Sequence, residues 1–137
     1  YQGYCSDMTR TVAIGTPTDE MKKVYQIELD ANVRAMEQIA AGQKCSDIDA
    51  VARGYIAKQG YGTYFGHGLG HGVGLDIHEE PRFSPKCDVI TTENMVITDE
   101  PGIYLPGQFG VRIEDLVVVK ENGYRKLSQS EKQLIIL

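Results

Sequence analysis

The sequence predicts an α+β domain in which two helices pack on an antiparallel sheet. Apolar residues recur with the helical period over the first 60 residues, whereas short extended runs and glycine-rich turns follow. The chain has 137 residues, 42% of them hydrophobic, which is enough to bury one core but not two. We therefore predict a single domain over residues 1–137, with helices preceding most of the strands.

The chain opens in strand-forming residues. Residues 1–14 indicate two short extended runs on either side of Ser6 and Asp7, and Gly15 and Pro17 end the second run. There is no initiator methionine before them, and the chain ends as abruptly as it begins. We therefore expect a piece of a longer protein.

Two amphipathic helices follow. Thr18 is suited to cap the first, and Gly42 to close it; its apolar positions are Met21, Tyr25, Leu29, Val33, Met36 and Ala40. Ser46 and Asp49 resemble a capping box for the second helix, which ends at Gly60; its apolar positions are Ile48, Val51, Ala52, Tyr55 and Ile56.

The second half of the chain carries strand signals. Extended runs are predicted over residues 94–99 and 111–120, and Asn122-Gly123 predicts a hairpin into residues 124–127. Alternation along the longer run puts Glu114 on one face with Leu116 and Val118. The opposite face receives Val111, Ile113, Asp115 and Val117.

Composition excludes several functional classes. The formal net charge is −5, with acidic residues spread along the chain, which argues against binding to nucleic acid. No apolar run is long enough to span a membrane. Cys5, Cys45 and Cys87 lie far apart in the sequence, a pattern typical of free thiols in a reducing cytoplasm, so we expect a cytoplasmic protein.

Three carboxylates lie in settings that demand a partner. Glu114 faces apolar residues, and Glu100 ends a hydrophobic strand, where a buried charge is costly without a cation or hydrogen-bond donors. From the residues alone, Glu114 could equally pair with a structural arginine. Asp7, between Ser6 and Thr9, could be a turn residue.

All three histidines lie in the segment GHGLGHGVGLDIHEEPR. His71 and His78 are seven residues apart, and a glycine-rich bend can bring both side chains into one pocket, with His67 nearby. A lone histidine is more often a satisfied polar residue than a ligand. Together with the three carboxylates, however, these histidines favour an oxygen-rich site for Mn²⁺, Co²⁺, Fe²⁺ or Zn²⁺.

Four motifs carry a resemblance to a known family. SDMTRT, GHGLGHGVGLDIHEEP, ENMVITDEPGIY and GVRIEDLVVV stand in the order found in the pita-bread metallopeptidases, which include methionine aminopeptidase, aminopeptidase P and prolidase. The doubled HGLGH followed by LDIHE resembles the Xaa-Pro branch. The resemblance implies the C-terminal portion of a catalytic domain, with two helices on a curved antiparallel sheet and the N-terminal part of the fold missing.

The resemblance also implies roles for individual residues. Metal ligands would be Asp7, His71, Glu100 and Glu114. Two divalent ions, expected to be Mn²⁺, would share a hydroxide that attacks the amide carbon. His78 would bind the scissile carbonyl, and Glu100 would pass a proton to the leaving nitrogen. His67 would line the substrate side of the catalytic site.

Further substrate contacts follow from the same resemblance. Arg82 matches an arginine that binds the free carboxylate of a dipeptide. A solvent-exposed loop arginine with no such role is an almost equally good interpretation of Arg82. Arg112 would support Glu114 from its own face, or it would line the pocket with Tyr104. The expected substrate is a proline-containing dipeptide or short peptide.

One departure limits the metal content. The family's first metal-binding aspartate would lie before residue 1, so Asp7, Glu100 and Glu114 supply a charge of only −3 against +4 for two divalent ions. We therefore predict at most one well-held ion. The truncated fold should also leave a sheet edge and apolar surface uncovered, and we expect a homodimer.

The expected function is hydrolysis of the Xaa-Pro peptide bond, by a dipeptidase or an aminopeptidase. The sequence leaves these two open, and the fragment could be inactive alone. A catalytically inactive peptide-binding module is the alternative from another class, disfavoured because all of the expected ligands are present. Methionine aminopeptidase is a third possibility, disfavoured by the doubled histidine motif.

Overall fold

The computed structural model describes residues 1–137 and confirms the α+β plan. It contains β1 (Val12–Ala13), α1 (Asp19–Met36), α2 (Cys45–Lys58), β2 (Gly70–Gly72), β3 (Glu79–Phe83), β4 (Val96–Asp99), β5 (Gly102–Leu105), β6 (Phe109–Arg112), β7 (Asp115–Lys120), β8 (Gly123–Lys126) and β9 (Ile135–Ile136). A single 3₁₀ turn at Gly62–Tyr64 links the second helix to the glycine-rich segment. No helix has the length and apolar character required to cross a membrane.

The strands form one main sheet and two small pairs. The main sheet is antiparallel with the order β3-β2-β4-β7-β8, and the predicted hairpin joins its last two strands. Strands β5 and β6 pair antiparallel, and β1 pairs with β9 in parallel. Because β4 lies between β2 and β7, the ends of three strands from distant parts of the sequence meet at one edge of the sheet.

The two helices pack on each other, and α1 also packs on β4, β5 and β6. Thr18 caps α1 as predicted, since its hydroxyl accepts a 3.2 Å hydrogen bond from the Met21 N–H. The core joins helix residues to both strand systems. Its fully buried members include Val24, Ala31, Ile48, Ala52, Ile56, Phe83, Ile97, Ile103, Ile113 and Val117.

Three predictions about the helices were wrong. Helix α1 ends at Met36, and the chain then turns until Gly42, whose φ of +85° requires glycine. Val33, expected on the buried face, is 41% exposed. The capping box is absent because α2 begins at Cys45 and Asp49 bonds instead to Arg53 and to the Leu69 N–H.

Two predictions about the strands were also wrong. The run over residues 111–120 is not one strand, because β6 ends at Arg112 and β7 begins at Asp115. Ile113 and Glu114 form the break between them. Near the N-terminus the only strand is β1, and Thr9 makes an isolated bridge to Glu114. Backbone groups at such breaks must find partners outside the regular sheet.

Apolar side chains are exposed around the small parallel pair, as expected from the sequence. Ile14 is 89% exposed and Leu137 is 71% exposed, and both lie at the ends of β1 and β9. Their exposure leaves apolar surface uncovered in the isolated chain. The homodimer stays a prediction.

Candidate metal centre and active site

Three of the four predicted ligands lie in or next to strands of the main sheet. His71 lies in the middle of β2, Glu100 directly follows β4, and Glu114 directly precedes β7. In the antiparallel register Gly72 pairs with Ile97, and Asp99 pairs with Asp115. His71 precedes Gly72, Glu100 follows Asp99 and Glu114 precedes Asp115, so these three residues converge at one edge of the sheet.

The ligand atoms form two groups that are each compact enough to hold an ion. The Nε2 atom of His71 lies 3.0 Å from Oε1 of Glu100 and 3.6 Å from Oδ2 of Asp7. Ligand atoms of His71, Glu100 and Glu114 all lie within 4.8 Å of one another. The same holds for a second group, Asp7, His71 and His78, so the two groups share His71.

The hydrogen bonds of His71 orient its ring. Its Nδ1 lies 2.9 Å from the Gly72 carbonyl oxygen, which can only accept, so Nδ1 carries the hydrogen. In the neutral ring Nε2 then presents a lone pair toward the carboxylates of Glu100 and Asp7. Lone pairs facing one another require a cation or an additional proton between them. A divalent metal ion fits this arrangement.

Glu114 provides a second test of whether a metal ion fits this cluster. Its side chain is buried, and Oε1 has no hydrogen-bond partner, while Oε2 accepts a 2.6 Å bond from the Thr9 hydroxyl. Burial raises the pKa of Glu114 to about 7; the Thr9 hydrogen bond lowers this pKa, and the charges of Glu100 and Asp7 raise it. An unpartnered buried carboxylate oxygen beside an imidazole lone pair is suited to coordinate a metal ion.

A threonine and a glycine hold the other side of the cluster. The Thr98 hydroxyl donates a 3.0 Å bond to Oε1 of Glu100 and accepts a 3.0 Å bond from the His71 N–H. A Cβ at Gly70 would lie 1.9 Å from the Thr98 carbonyl oxygen. Only glycine permits this approach of β2 to β4, on which the spacing of His71 and Glu100 depends.

An arginine links the cluster to a tyrosine and a histidine. The Nε of Arg112 donates to the Thr9 hydroxyl over 3.1 Å, and its Nη1 donates to the Tyr104 hydroxyl over 3.4 Å. His67 carries its hydrogen on Nδ1, which donates to the Gly68 carbonyl, so its Nε2 accepts from the Tyr104 hydroxyl over 2.9 Å. Arg112 therefore supports Glu114 through Thr9 rather than directly.

A polar cavity of about 290 Å³ opens onto the cluster and has no hydrophobic lining residue. Six predicted site residues line it, namely His67, His71, His78, Arg82, Glu100 and Arg112. The ring of the exposed His78 lies 4.4 Å from that of His71. The Arg82 side chain is 48% exposed and lies 3.2 Å from Glu80, so it is at the rim. The other three predicted residues do not line the cavity but lie beside residues that do: Asp7 and Glu114 beside His71, and Tyr104 beside His67 and Arg112.

Sequence reasoning missed the residues that hold the ligands in place. Thr9 and Thr98 bond directly to Glu114 and Glu100, and the buried residues Glu28 and Asn32 of α1 reach the same region. The spacing of four residues between Glu28 and Asn32, inside the apolar stripe of α1, is a signal that could have indicated them.

Known proteins resemble this chain in sequence and in fold. The profile of metallopeptidase family M24 matches residues 1–121. A Xaa-Pro dipeptidase from Pyrococcus horikoshii is 47% identical over 135 residues, which is 98% of this chain and 38% of the relative. A solved Xaa-Pro dipeptidase from Bacillus anthracis has a TM-score of 0.98 and 49% identity, covering 100% of this chain and 39% of that one.

An aminopeptidase is equally similar. The crystal structure of an X-Pro aminopeptidase from Thermotoga maritima MSB8 has a TM-score of 0.97 and 47% identity, covering 100% of this chain and 38% of that one. The fold is that of the pita-bread metallopeptidases. The chain belongs to metallopeptidase family M24. It spans less than two fifths of the length of these relatives.

Proposed function

We propose that this chain is the C-terminal portion of the catalytic domain of a metal-dependent exopeptidase that cleaves Xaa-Pro peptide bonds. The observation that carries the proposal is the convergence of His71 Nε2 on Glu100 and Asp7, with the unpartnered Oε1 of Glu114 in the same cluster. The Xaa-Pro dipeptidases among its relatives support the choice of bond.

The proposed ligands are Asp7, His71, Glu100 and Glu114. Three carboxylates and one imidazole form a hard, oxygen-rich donor set, which suits Mn²⁺, Co²⁺, Fe²⁺ or Zn²⁺, and we favour Mn²⁺. The two candidate groups share His71, and the free lone pair on its Nε2 can bind only one ion. We therefore propose one well-held ion per chain.

A divalent ion, when bound, lowers the pKa of water and polarises a carbonyl group. Around it, the side chains bind and orient the substrate. His78 lies next to His71 at the cavity, where its imidazole can donate a hydrogen bond to the scissile carbonyl oxygen. His67, Tyr104 and Arg112 form a hydrogen-bonded wall that fixes the substrate side.

Proton transfer is assigned to Glu100. Hydrolysis adds the oxygen of water to the carbonyl carbon and breaks the bond to the proline nitrogen, which must gain a proton. The Glu100 carboxylate lines the cavity, and a proton that it takes from the water can pass to that nitrogen. Thr98 holds this carboxylate in place through its hydroxyl.

Arg82 is the proposed partner of the substrate's free carboxylate. It lies at the cavity rim, where its guanidinium pairs weakly with the exposed Glu80 and is free to exchange partners. A dipeptide would bring its carboxylate near this position, whereas a longer peptide would not. Relatives of both kinds are equally similar, and hydrolysis of a dipeptide and of a longer peptide distinguishes the two activities.

We also propose a homodimer in the cytoplasm. The exposed apolar side chains at the ends of β1 and β9 favour association, and three free cysteines favour a reducing compartment. Light scattering tests the proposed homodimer, since a strictly monomeric species would contradict it.

The catalytic proposal is tested with the longer protein that contains this chain. Hydrolysis of Leu-Pro and of a longer Xaa-Pro peptide is measured with and without Mn²⁺, and Glu114→Ala serves as the ligand-deficient variant. We expect metal-dependent cleavage that Glu114→Ala abolishes. Cleavage without metal, or cleavage that this substitution leaves unchanged, would overturn the mechanism.

A further inference from the structure

Helix α1 carries two buried polar side chains that face the metal cluster from behind. Glu28 and Asn32 are both 0% exposed and lie one helical turn apart, so they share a face that packs against the sheet. Burying a carboxylate and an amide is costly unless they make specific hydrogen bonds. Neither side chain lines the cavity, so neither is placed to contact substrate.

The hydrogen bonds of Asn32 reach both strand breaks. Its Nδ2 donates to the Asp99 carbonyl over 3.1 Å and to the Ile113 carbonyl over 3.2 Å. Each of these carbonyls belongs to the peptide bond that leads into a proposed ligand, Glu100 in one case and Glu114 in the other. One amide nitrogen therefore ties together the two peptide units that carry the glutamates.

The same peptide units are held from their opposite sides. The Glu100 N–H donates to the Leu69 carbonyl over 2.8 Å, and the Glu114 N–H donates to the Thr9 carbonyl over 3.0 Å. Glu28 holds the neighbouring peptide unit between Arg112 and Ile113, because its Oε1 accepts the Ile113 N–H over 3.0 Å. Both peptides are thus fixed in orientation although they lie outside the regular ladder.

A lysine fixes the orientation of the Asn32 amide. The Nζ of Lys132 donates to Oδ1 of Asn32 over 2.6 Å, and it also contacts the carboxylate of Asp115. An ammonium group can only donate, so the amide oxygen must face it and the amide nitrogen must face the two carbonyls. The Asn32 side chain therefore has one allowed orientation.

We propose that Asn32, supported by Glu28, is a positioning residue that sets the spacing of Glu100 and Glu114 and thereby the affinity of the metal site. This inference rests on the proposed metal-binding function. Side chains that orient ligands from behind commonly change metal affinity by about 10- to 100-fold when they are removed. Asn32 would act through the backbone of the ligands rather than through their carboxylates.

Asn32→Asp tests the proposal, because it keeps the shape and the acceptor for Lys132 but removes both donated hydrogen bonds. Ile56→Val is the matched control, since it loosens the buried face of α2 without touching either peptide. Mn²⁺ affinity is measured by calorimetry, and the Co²⁺ form is compared by its visible absorption spectrum, at a temperature where both variants are folded.

We expect Asn32→Asp to weaken Mn²⁺ binding by at least about tenfold and to change the Co²⁺ spectrum. Ile56→Val should bind within about twofold of the unchanged chain and keep its spectrum, because no ligand contact is altered. An Asn32→Asp chain that binds Mn²⁺ as the unchanged chain does would overturn the proposal. Equal weakening by both substitutions would also overturn it, since it would show a general loss of packing.

Amide hydrogen exchange without metal separates this inference from the proposed function. In Asn32→Asp, exchange of the Glu100 and Glu114 amides should accelerate by about tenfold relative to the central residues of β7. Unchanged exchange would overturn the positioning role. If the unchanged chain bound no Mn²⁺, the proposed function would fail, and the exchange rates would still decide whether Asn32 holds the two peptides.

Discussion

The two sides of the metal cluster differ in how they are built. The cavity side includes the glycine-rich segment, whose three histidines line the cavity. The opposite side consists of α1 and the strand breaks, where buried polar groups such as Asn32 and Glu28 are hydrogen-bonded to the backbone. The comparison teaches that the cavity side presents side chains to the cavity, whereas on the closed side buried polar groups hold the backbone that carries Glu100 and Glu114.

Removing a ligand should have the largest effect. Glu114→Ala deletes the only carboxylate that is both buried and unpartnered at one oxygen in the cluster. Since even outer residues affect metal affinity by about 10- to 100-fold, we expect this change to weaken Mn²⁺ binding by more than about 100-fold. Calorimetry provides the measurement, and an exposed carboxylate substitution, Glu121→Ala, provides the control. Retained affinity would remove Glu114 from the ligand set.

Disrupting the close approach of β2 to β4 should have the next largest effect. Gly70→Ala would place a methyl group against the Thr98 carbonyl, and such overpacking against backbone should destabilise the fold by about 3 kcal/mol or more. Gly66→Ala is the matched control, because a Cβ there meets nothing within 4 Å. Urea unfolding would measure both. Similar stabilities for the two variants would show that the sheet can adjust.

A smaller effect is expected at the hydroxyl that orients Glu114. Thr9→Val keeps the shape of the side chain but removes the 2.6 Å bond to Oε2 and the contact from Arg112. We expect Mn²⁺ affinity to fall by about tenfold with the fold intact. Thr16→Val, at an exposed position, should leave the affinity unchanged. A larger loss at Thr16 than at Thr9 would contradict the assigned role.

The smallest effect concerns pH. Burial raises the pKa of Glu114 to about 7, so between about pH 4.5 and pH 7 the metal-free folded chain holds a proton that the unfolded chain has released. Unfolding releases that proton, and the free energy of unfolding therefore falls as pH rises through this range. The slope from one such group is at most about 1.4 kcal/mol per pH unit.

Glu114→Gln should flatten this dependence without abolishing it. Burial also raises the pKa values of Glu28 and Asp99, which contribute in the same direction. Thermal unfolding of the metal-free chain at several pH values measures the difference. An identical pH dependence in the variant would show that Glu114 is not the protonated group.

Candidate residues of the cluster could be proposed from the sequence, whereas their supporting contacts could not, for a physical reason. Histidine and unpaired glutamate are rare enough in apolar or glycine-rich settings that His71, Glu100 and Glu114 could be singled out by residue type. The family resemblance was confirmed, as was the α+β plan. The contacts of Asn32 depend on tertiary packing between α1 and two strand ends, which no local pattern encodes.

The errors in secondary structure share a cause. The break at residues 113–114 lies inside a continuous run of strand-forming residues, so local propensity gave no warning of it. The break exists because Glu114 turns toward the cluster and its N–H pairs with Thr9 instead of a neighbouring strand. Likewise, Asp49 accepts hydrogen bonds from Arg53 and from the Leu69 N–H rather than forming a helix cap. Tertiary contacts overrode local preference at both positions.

The most direct test of the central claim is anomalous diffraction from crystals of the chain equilibrated with Mn²⁺. We predict one strong peak per chain, in contact with Nε2 of His71 and with carboxylate oxygens of Glu100, Glu114 and Asp7. A peak at other residues, no peak at this cluster, or two fully occupied ions within it would contradict the account.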